Sequence, residues 1–381
     1  MRARSQGEND CHFNAGNYAL GTGYGCTLPA MARAYRAIWS AEPGTTPPDF
    51  PLGVVLLADG SDFGTPGNLA NIIRSQTANF GSLPNAAIPN SFLASAFDLS
   101  DPWMDMDNAD LCSRQQCCVE TSVPLGPNCT GDHRGQWTNS TPNQSSLHPR
   151  TKGLISERIA QAAYASVYAP TSELLATGPV LAGCSLAGAT LTLVFDAALL
   201  KGERMTVGKP AGYEMSLALQ NTGLFVLWNS SLPQSAFEGT TVDPYFGPYE
   251  TGADAQNGNQ IVPGNEFGAS PWLAVLPSAG AAANTITVDL SPLEGQLPTA
   301  IRYAMGGGGN GDFLPNRLPG PLGAQAGRLC CGPTVDTSKQ PCPPASCPIK
   351  ASGRLALPAL PFVAEIVGGK CKCIPPQTCD A

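Results

Sequence analysis

The sequence has few charged side chains, only three histidines and no hydrophobic run of membrane length. Charged residues make up 13% of its 381 residues, which is low for a cytosolic globular protein. No apolar stretch reaches the roughly 20 residues of a transmembrane helix, so no membrane span is expected. The net charge is -8 and there is no run of Lys and Arg, which argues against nucleic acid and anionic membranes as partners.

Zinc-site spacing is also missing, although the chain contains fourteen cysteines. Cys112-x4-Cys117 and Cys342-x4-Cys347 have no second pair of ligands at the separation that zinc sites use. The cysteines cluster in Pro- and Gly-rich sequence, where an oxidising compartment turns such clusters into disulfides that staple loops. We therefore predict disulfides, with no metal and no cofactor. The cysteines are Cys11, Cys26, Cys112, Cys117, Cys118, Cys129, Cys184, Cys330, Cys331, Cys342, Cys347, Cys371, Cys373 and Cys379.

Four glycosylation sequons point to the same compartment. They begin at Asn128, Asn139, Asn143 and Asn229, and three of them fall within sixteen residues of one cysteine-rich loop. The start of the chain does not have the n-region and apolar h-region of a secretory signal peptide. We nevertheless expect a secreted or lumenal protein, whether extracellular, lysosomal or vacuolar, whose signal peptide is absent from this chain.

The front of the chain alternates between helical and buried-strand patterns. Predicted helices cover 27–40, 67–78 and 152–168, and predicted strands cover 52–58 and 89–98. Such alternation indicates a parallel sheet with helices on its faces, so the fold class is α/β. One face of the first helix carries Leu28, Met31, Ala32, Tyr35, Ile38 and Trp39. The third helix directs Ile155, Ile159, Ala162, Ala163 and Val167 inward.

The pattern changes near residue 170. Short apolar strands separated by Gly, Pro and Asn turns follow, which is typical of an all-β sandwich. We place one domain at 1–170, with a cysteine-rich glycosylated insertion at 102–146, and a sandwich-like domain at 171–367. The second domain includes a Gly/Pro/Cys-rich loop at 306–350, and a disulfide-rich tail covers 368–381. The predicted strands begin at Ala189, Tyr213, Leu224, Trp272, Thr285 and Ala300.

Two segments contain residue types suited to ester hydrolysis. His148 precedes the third helix, and catalytic groups of open α/β sheets lie on loops outside the carboxyl ends of the strands. Histidine is the usual general base for a serine nucleophile. The side-chain amide of Gln6 can donate to an oxyanion. The glycine that follows Gln6 allows the backbone to approach a substrate closely. Each segment alone also fits an ordinary polar loop.

Taken in order, four segments resemble the sialate O-acetylesterase family, a carbohydrate-esterase branch of the SGNH hydrolases. They are Gln6-Gly-Glu-Asn-Asp, Arg74-Ser-Gln-Thr, the strand ending Asp98-Leu-Ser-Asp, and Ser146-Leu-His-Pro-Arg-Thr-Lys. Three later segments, which begin at Leu174, Ala300 and Leu357, are similar to two further strands of the family and to its closing motif. The resemblance implies a partial SGNH or flavodoxin-like three-layer domain.

The resemblance also implies roles for single residues. His148 would be the general base, and Gln6 would donate to the oxyanion. Asp98 or Asp101 would orient the histidine, unless a Ser–His dyad operates alone. The residues that line or support the site would be Gly7, Glu8, Arg74, Gln76, Asp98 and Asp101. Glu8 would brace the turn that begins at Gln6.

The family's nucleophilic serine is the main departure, since no serine here matches its Gly-rich motif. We therefore expect this chain to be the C-terminal part of a longer esterase that removes O-acetyl groups from sugars. The isolated chain is expected to be inactive. The alternative is a non-catalytic extracellular protein whose β half binds a glycan or a partner.

Overall fold

The computed structural model describes slightly under half of the chain. The described residues are 2–5, 23–57, 72–73, 75–96, 152–208, 224–227, 272–275, 277–291, 295, 297–303 and 349–373. The helices with given bounds are α1 (Tyr24–Trp39), α2 (Lys152–Ala163), which a π-helical turn (Tyr164–Tyr168) extends, and α3 (Ala197–Leu200). Residues 72, 73 and 75 are also helical. The first seven strands are β1 (Arg2–Ser5), β2 (Leu52–Leu56), β3 (Ser91–Ser95), β4 (Leu181–Ala187), β5 (Thr190–Phe195), β6 (Met205–Val207) and β7 (Leu224–Leu227). The remaining seven are β8 (Trp272–Ala274), β9 (Pro277–Ala279), β10 (Thr285–Asp289), β11 (Ala300–Tyr303), β12 (Ile349–Ala351), β13 (Phe362–Val367) and β14 (Lys370–Cys373).

The front half contains a parallel sheet in the order β1-β2-β3. Every residue of β2 and β3 is buried, as expected for strands covered on both faces. Leu28 of α1 belongs to the same buried cluster as Val54, whereas Ile155 of α2 clusters with Val55. Because successive strand residues point to opposite faces, α1 and α2 cover opposite faces of the sheet. The prediction of an α/β fold with a parallel sheet is confirmed.

Helix α1 differs from its sequence prediction in extent and in its buried face. It begins at Tyr24, directly after Gly23, whose φ is 75°. Leu28 is buried, but Ile38 is 66% exposed, so its predicted inward orientation is wrong. At the helical step of ~100° per residue, Ile38 lies roughly 80° from Leu28, at the margin of the apolar stripe. Trp39 instead stacks on Phe50, with 5.2 Å between ring centroids.

Arg36 of α1 joins the helix to the amino ends of two strands. Its Nη2 donates to the carbonyl oxygens of Pro89 (2.7 Å), Asn90 (3.0 Å) and Phe50 (3.2 Å). These residues immediately precede β3 and β2. Burial lowers the pKa of the Arg36 guanidinium, and the charge of Asp49 partly offsets that effect. One side chain thus donates to backbone carbonyls at the amino ends of two strands, and the Asn90 carbonyl also accepts from the N–H of Leu52 at 3.2 Å.

The second half is dominated by a nine-stranded sheet in the order β8-β7-β11-β13-β14-β4-β5-β10-β9. All of its strand pairs are antiparallel, and β12 and β6 form a separate two-stranded sheet. The predicted strands that begin at Ala189, Leu224, Trp272, Thr285 and Ala300 are present as β5, β7, β8, β10 and β11. The predicted strand at Tyr213 lies outside the described residues. The prediction that this half is built mainly from strands is confirmed, whereas their arrangement as a sandwich stays a prediction.

The stretch assigned to a disulfide-rich tail contributes a strand to the middle of that sheet. Lys370–Cys373 form β14, which pairs with β13 on one side and β4 on the other. A disulfide joins Cys184 of β4 to Cys371 of β14, with 4.8 Å between the Cα atoms. Cys26 is also disulfide-bonded. The predicted disulfide chemistry is confirmed for these cysteines.

Two further observations concern the described part of the chain. None of its helices is long and apolar enough to cross a membrane. Within the same residues, His, Cys, Asp and Glu side chains form no group of three or more that could hold a metal ion.

Replacing both Cys184 and Cys371 by alanine is expected to lower the free energy of unfolding by roughly 2–5 kcal/mol. The bond closes a loop with a sequence separation of 187 residues, so its loss frees much of the unfolded chain. Chemical denaturation measures the change. Ser185→Ala, an exposed change next to Cys184, is the control and should shift stability by under about 0.5 kcal/mol. An unchanged denaturation midpoint in the double variant would contradict the prediction.

Two carboxylates should respond to pH with opposite signs. Burial raises the pKa of Glu203, although the N–H of Gly353 donates to its Oε2 at 2.5 Å. Folding therefore opposes ionisation of Glu203, and its charged form reduces stability once pH rises above the ordinary carboxyl range. As pH rises from 4 to 7, the stability of Glu203→Gln relative to the parent protein should therefore increase.

Asp289 supplies the control for Glu203. The backbone N–H and hydroxyl of Ser291 donate to its carboxylate, each at 2.9 Å, and these bonds lower the pKa of Asp289. Its stabilising contribution is present above the unfolded pKa and is lost as pH falls through the folded pKa. Asp289→Asn should therefore lose stability at pH 7 and recover toward the parent value in acid. Thermal unfolding of both variants and the parent protein at pH 4 and pH 7 tests these opposite responses. If the relative stability of both variants changes in the same direction between the two pH values, the prediction is wrong.

Candidate active site

The carboxyl edge of the parallel sheet is the candidate active site. Strands β1, β2 and β3 run in the same direction and end at Ser5, Leu56 and Ser95. In the sequence, Gln6 follows Ser5 directly, and Asp98 comes three residues after Ser95. Ligands of open α/β sheets bind outside the carboxyl ends of the strands, so this edge is where chemistry is expected.

Helix α2 begins at the same edge and runs antiparallel to the strands. Near its start, Ile155 clusters with Val55 and Ala96, which lie at the carboxyl ends of β2 and β3. Near its end, Ala162 clusters with Phe92 at the other end of β3. The order of these contacts fixes the direction of the helix. The sequence that leads into Lys152, including His148, therefore joins the helix at the candidate edge.

Gln76 is the one predicted site residue that the structure describes. Its side chain is fully buried, its Oε1 accepts from the N–H of Leu57 (2.9 Å), and its Nε2 donates to the carbonyl oxygen of Val55 (3.0 Å). The amide thus closes the end of β2 with a donor and an acceptor. This geometry is that of a side chain that supports the backbone at the end of β2. Direct contact with a solvent-borne substrate would require exposure that Gln76 does not have.

The other predicted site residues lie outside the described residues. They are Gln6, Gly7, Glu8, Arg74, Asp98, Asp101 and His148, together with the glycosylation candidates Asn128, Asn139, Asn143 and Asn229. Their mutual distances stay predictions. The structure describes the carboxyl ends of three parallel strands and the start of one helix.

Arg158 was not anticipated from the sequence. It lies on the inward face of α2, is 3% exposed, and its Nη1 donates to the carbonyl oxygen of Ser95 at 2.8 Å. Its spacing from Ile155 and Ala162 places it on the apolar stripe of the helix. A lone charged residue on such a stripe is the signal that would have identified it. The guanidinium lies where β3 ends.

The neighbouring Glu157 faces outward and pairs with Arg354 from the antiparallel half. The two side chains are 40% and 71% exposed, so solvent screens the pair and it contributes little to stability. On the same helix, Gln161 donates to the carbonyl oxygen of Leu175 at 3.0 Å. Helix α2 is therefore in contact with both halves of the described structure.

Comparison with known proteins gives a local match. Over 102 residues the chain is 40% identical to the sialate O-acetylesterase of Rattus norvegicus and 36% identical to that of Homo sapiens. The matched segment is 25% of this chain but only 17% of the rat protein and 18% of the human protein. Part of the chain is thus homologous to sialate O-acetylesterases, which confirms the predicted resemblance over that segment.

Among solved structures, the chain is similar to a carbohydrate acetylesterase from Xanthomonas citri. The sequence identity is 17% and the TM-score is 0.45, over 95% of this chain and 49% of that protein. No protein-family model matches the chain.

Gln76→Glu should destabilise the protein at pH 7 by about 1–3 kcal/mol and much less at pH 4. The ionised carboxylate cannot donate to the Val55 carbonyl, whereas the protonated form restores that donor. Burial makes the folded state bind the proton more tightly, so stability recovers as pH falls. Chemical denaturation relative to the parent protein at each pH measures this.

Gln161→Glu is the matched control for that substitution. Gln161 is half-buried and donates one hydrogen bond, to the Leu175 carbonyl, so its replacement should cause a smaller loss of stability with weaker pH dependence. Equal losses for Gln76→Glu at pH 4 and pH 7 would show that the amide donor does not hold the end of β2.

Proposed function

We propose that this chain is part of a carbohydrate O-acetylesterase of the sialate O-acetylesterase type, using a Ser–His mechanism. The observation that carries the proposal is that strands β1 and β3 end, and helix α2 begins, at one edge of the parallel sheet. In the sequence, Gln6 and Asp98 follow those strands and His148 precedes that helix. The local identity to sialate O-acetylesterases supports the same chemistry.

Chain connectivity supports the grouping of these residues. Gln6 is covalently bonded to Ser5, the last residue of β1. His148 is four residues from Lys152, and four extended residues span at most ~14 Å. Neighbouring strands of a sheet lie ~4.8 Å apart. The carboxyl ends of β1 and β3, with β2 between them, are therefore close enough to contribute to one site.

In the proposed reaction, His148 removes the proton of a serine hydroxyl as the serine oxygen attacks the acetyl carbon. The Gln6 amide donates to the resulting oxyanion. The intermediate collapses, the bond to the sugar oxygen breaks, and His148 returns the proton to that oxygen. Water, deprotonated in turn by His148, then hydrolyses the acetyl-serine and releases acetate. Asp98 or Asp101 orients the imidazole.

The wider architecture follows from the same proposal. The parallel sheet with α1 and α2 belongs to an SGNH or flavodoxin-like three-layer domain, and the antiparallel half forms a sandwich-like second domain. The cysteine-rich insertion at 102–146 lies in the sequence between Asp101 and His148, where its length can influence which acetylated sugar is accepted. An acetylated carbohydrate is the only partner that the proposed reaction requires.

The proposed location is secreted or lumenal. The Cys184–Cys371 disulfide supports it, because such bonds persist in oxidising compartments. The sequons at Asn128, Asn139 and Asn143 agree with this setting.

Because the chain has only three histidines, the general base can be tested directly. In the protein made from the full transcript, His148→Ala should reduce acetate release from O-acetylated sugars by at least about 10³-fold. Gln6→Ala should reduce kcat by about 10²–10³-fold, as expected for one oxyanion donor. A coupled acetate assay measures both.

His12→Ala and His133→Ala are the matched controls and should keep activity near that of the parent protein. If His148→Ala is as active as these controls, the Ser–His assignment is wrong. If the parent protein carries the upstream serine but releases no acetate from any acetylated sugar, the non-catalytic binding alternative is favoured.

A further inference from the structure

We propose that Arg158 is a positioning residue that holds the start of α2 against the carboxyl end of β3. This proposal rests on the proposed esterase function, because it assigns a role in orienting His148. In this role Arg158 is not required to touch the substrate. It acts through the strand and the helix that flank the candidate site.

The location of the guanidinium is the first support. Arg158 is 3% exposed, and its Nη1 lies 2.8 Å from the carbonyl oxygen of Ser95, the last residue of β3. Removing an ionised group from water is unfavourable, and an apolar side chain would fill the same helix position without that penalty. Packing alone therefore does not account for an arginine here. A charge-assisted hydrogen bond to a fixed backbone acceptor does.

The direction of the side chain is the second support. Helical side chains lean toward the helix N-terminus, so Arg158 reaches back toward the start of α2 and the carboxyl edge. The strand pairing continues as far as Ala96, whose N–H donates to the carbonyl oxygen of Leu56 at 3.1 Å. Arg158 thus connects the last described pairing of β3 to the helix that follows His148 in the sequence.

The apolar contacts of α2 separate positioning from folding. Ile155 packs with Val55 and Ala96, and Ala162 packs with Phe92, independently of the guanidinium. Losing Arg158 should leave the helix on the sheet but free its first turns to shift. A displacement of about 1 Å in a catalytic group is enough to reduce turnover by ~10²-fold.

Arg36 provides a control of the same chemistry at the opposite edge. It too donates from a helix to strand-end carbonyls, those of Phe50, Pro89 and Asn90. Because these acceptors precede β2 and β3, Arg36 acts at the amino ends of the strands, at the opposite end of the sheet from the candidate site. Glu157 is a second control, since it adjoins Arg158 on α2 but faces outward to Arg354.

The kinetic experiment compares Arg158→Met, Arg158→Lys, Arg36→Met and Glu157→Gln in the full-length protein, well below their melting temperatures. Arg158→Met should lower kcat by about 10- to 100-fold with little change in KM, and Arg158→Lys should recover part of the loss. Arg36→Met should lower Tm with kcat unchanged, and Glu157→Gln should change neither. If Arg158→Met lowers Tm while kcat stays at the parent value, the positioning role is overturned.

A second measurement does not depend on activity. In protein labelled at histidine, Arg158→Met should shift the NMR resonance of His148 and leave those of His12 and His133 in place, whereas Arg36→Met should shift none. An unmoved His148 resonance in Arg158→Met would overturn the proposal. If the parent protein releases no acetate, the esterase proposal fails, and the His148 resonance still decides whether Arg158 positions that segment.

Discussion

The described front half depends on how the backbone carbonyls at the strand ends are satisfied. In a short parallel sheet, some backbone N–H and C=O groups at the amino and carboxyl ends of the strands have no partner in a neighbouring strand. When such groups are buried, they need other hydrogen-bond partners. Helix side chains supply them: Arg36 at the amino edge, and Arg158 at the carboxyl edge. Gln76 closes the end of β2 with both ends of its amide. The apolar faces press the helices on the sheet, and these polar contacts set where along the strands each helix sits.

The antiparallel half is held by a different constraint, which is long-range strand pairing. β14 contains the last described residues and lies between β13 and β4, so the sheet is continuous only when β14 pairs with both strands. The disulfide between Cys184 and Cys371 fixes this late pairing covalently. A helix in the front half needs only its neighbouring strands, whereas this sheet joins segments far apart in sequence. Non-local pairing of this kind carries a large loop-closure entropy, and a crosslink reduces it.

The sequence predicts local features well and long-range ones poorly. The apolar run at Leu52–Leu56 and the helix starting at Lys152 are visible because burial on both faces, or on one helical face, gives a periodic pattern. The position of β14 is not visible, since nothing within Lys370–Cys373 specifies its partners. Arg158 was missed for a similar reason: its acceptor is a backbone carbonyl 63 positions earlier. Of the candidate site, sequence motifs predicted the chemical groups, and only the fold revealed their supports.

Helix α2 is where these constraints meet. Its apolar face packs on β2 and β3, Arg158 ties it to Ser95, and Gln161 donates to Leu175 at the beginning of the second half. A segment that leads into this helix has one end fixed by three independent kinds of contact. Acyl transfer needs a base held within a fraction of an ångström, and a loop alone does not provide that precision. The rigidity proposed for His148 would therefore come from the helix that follows it.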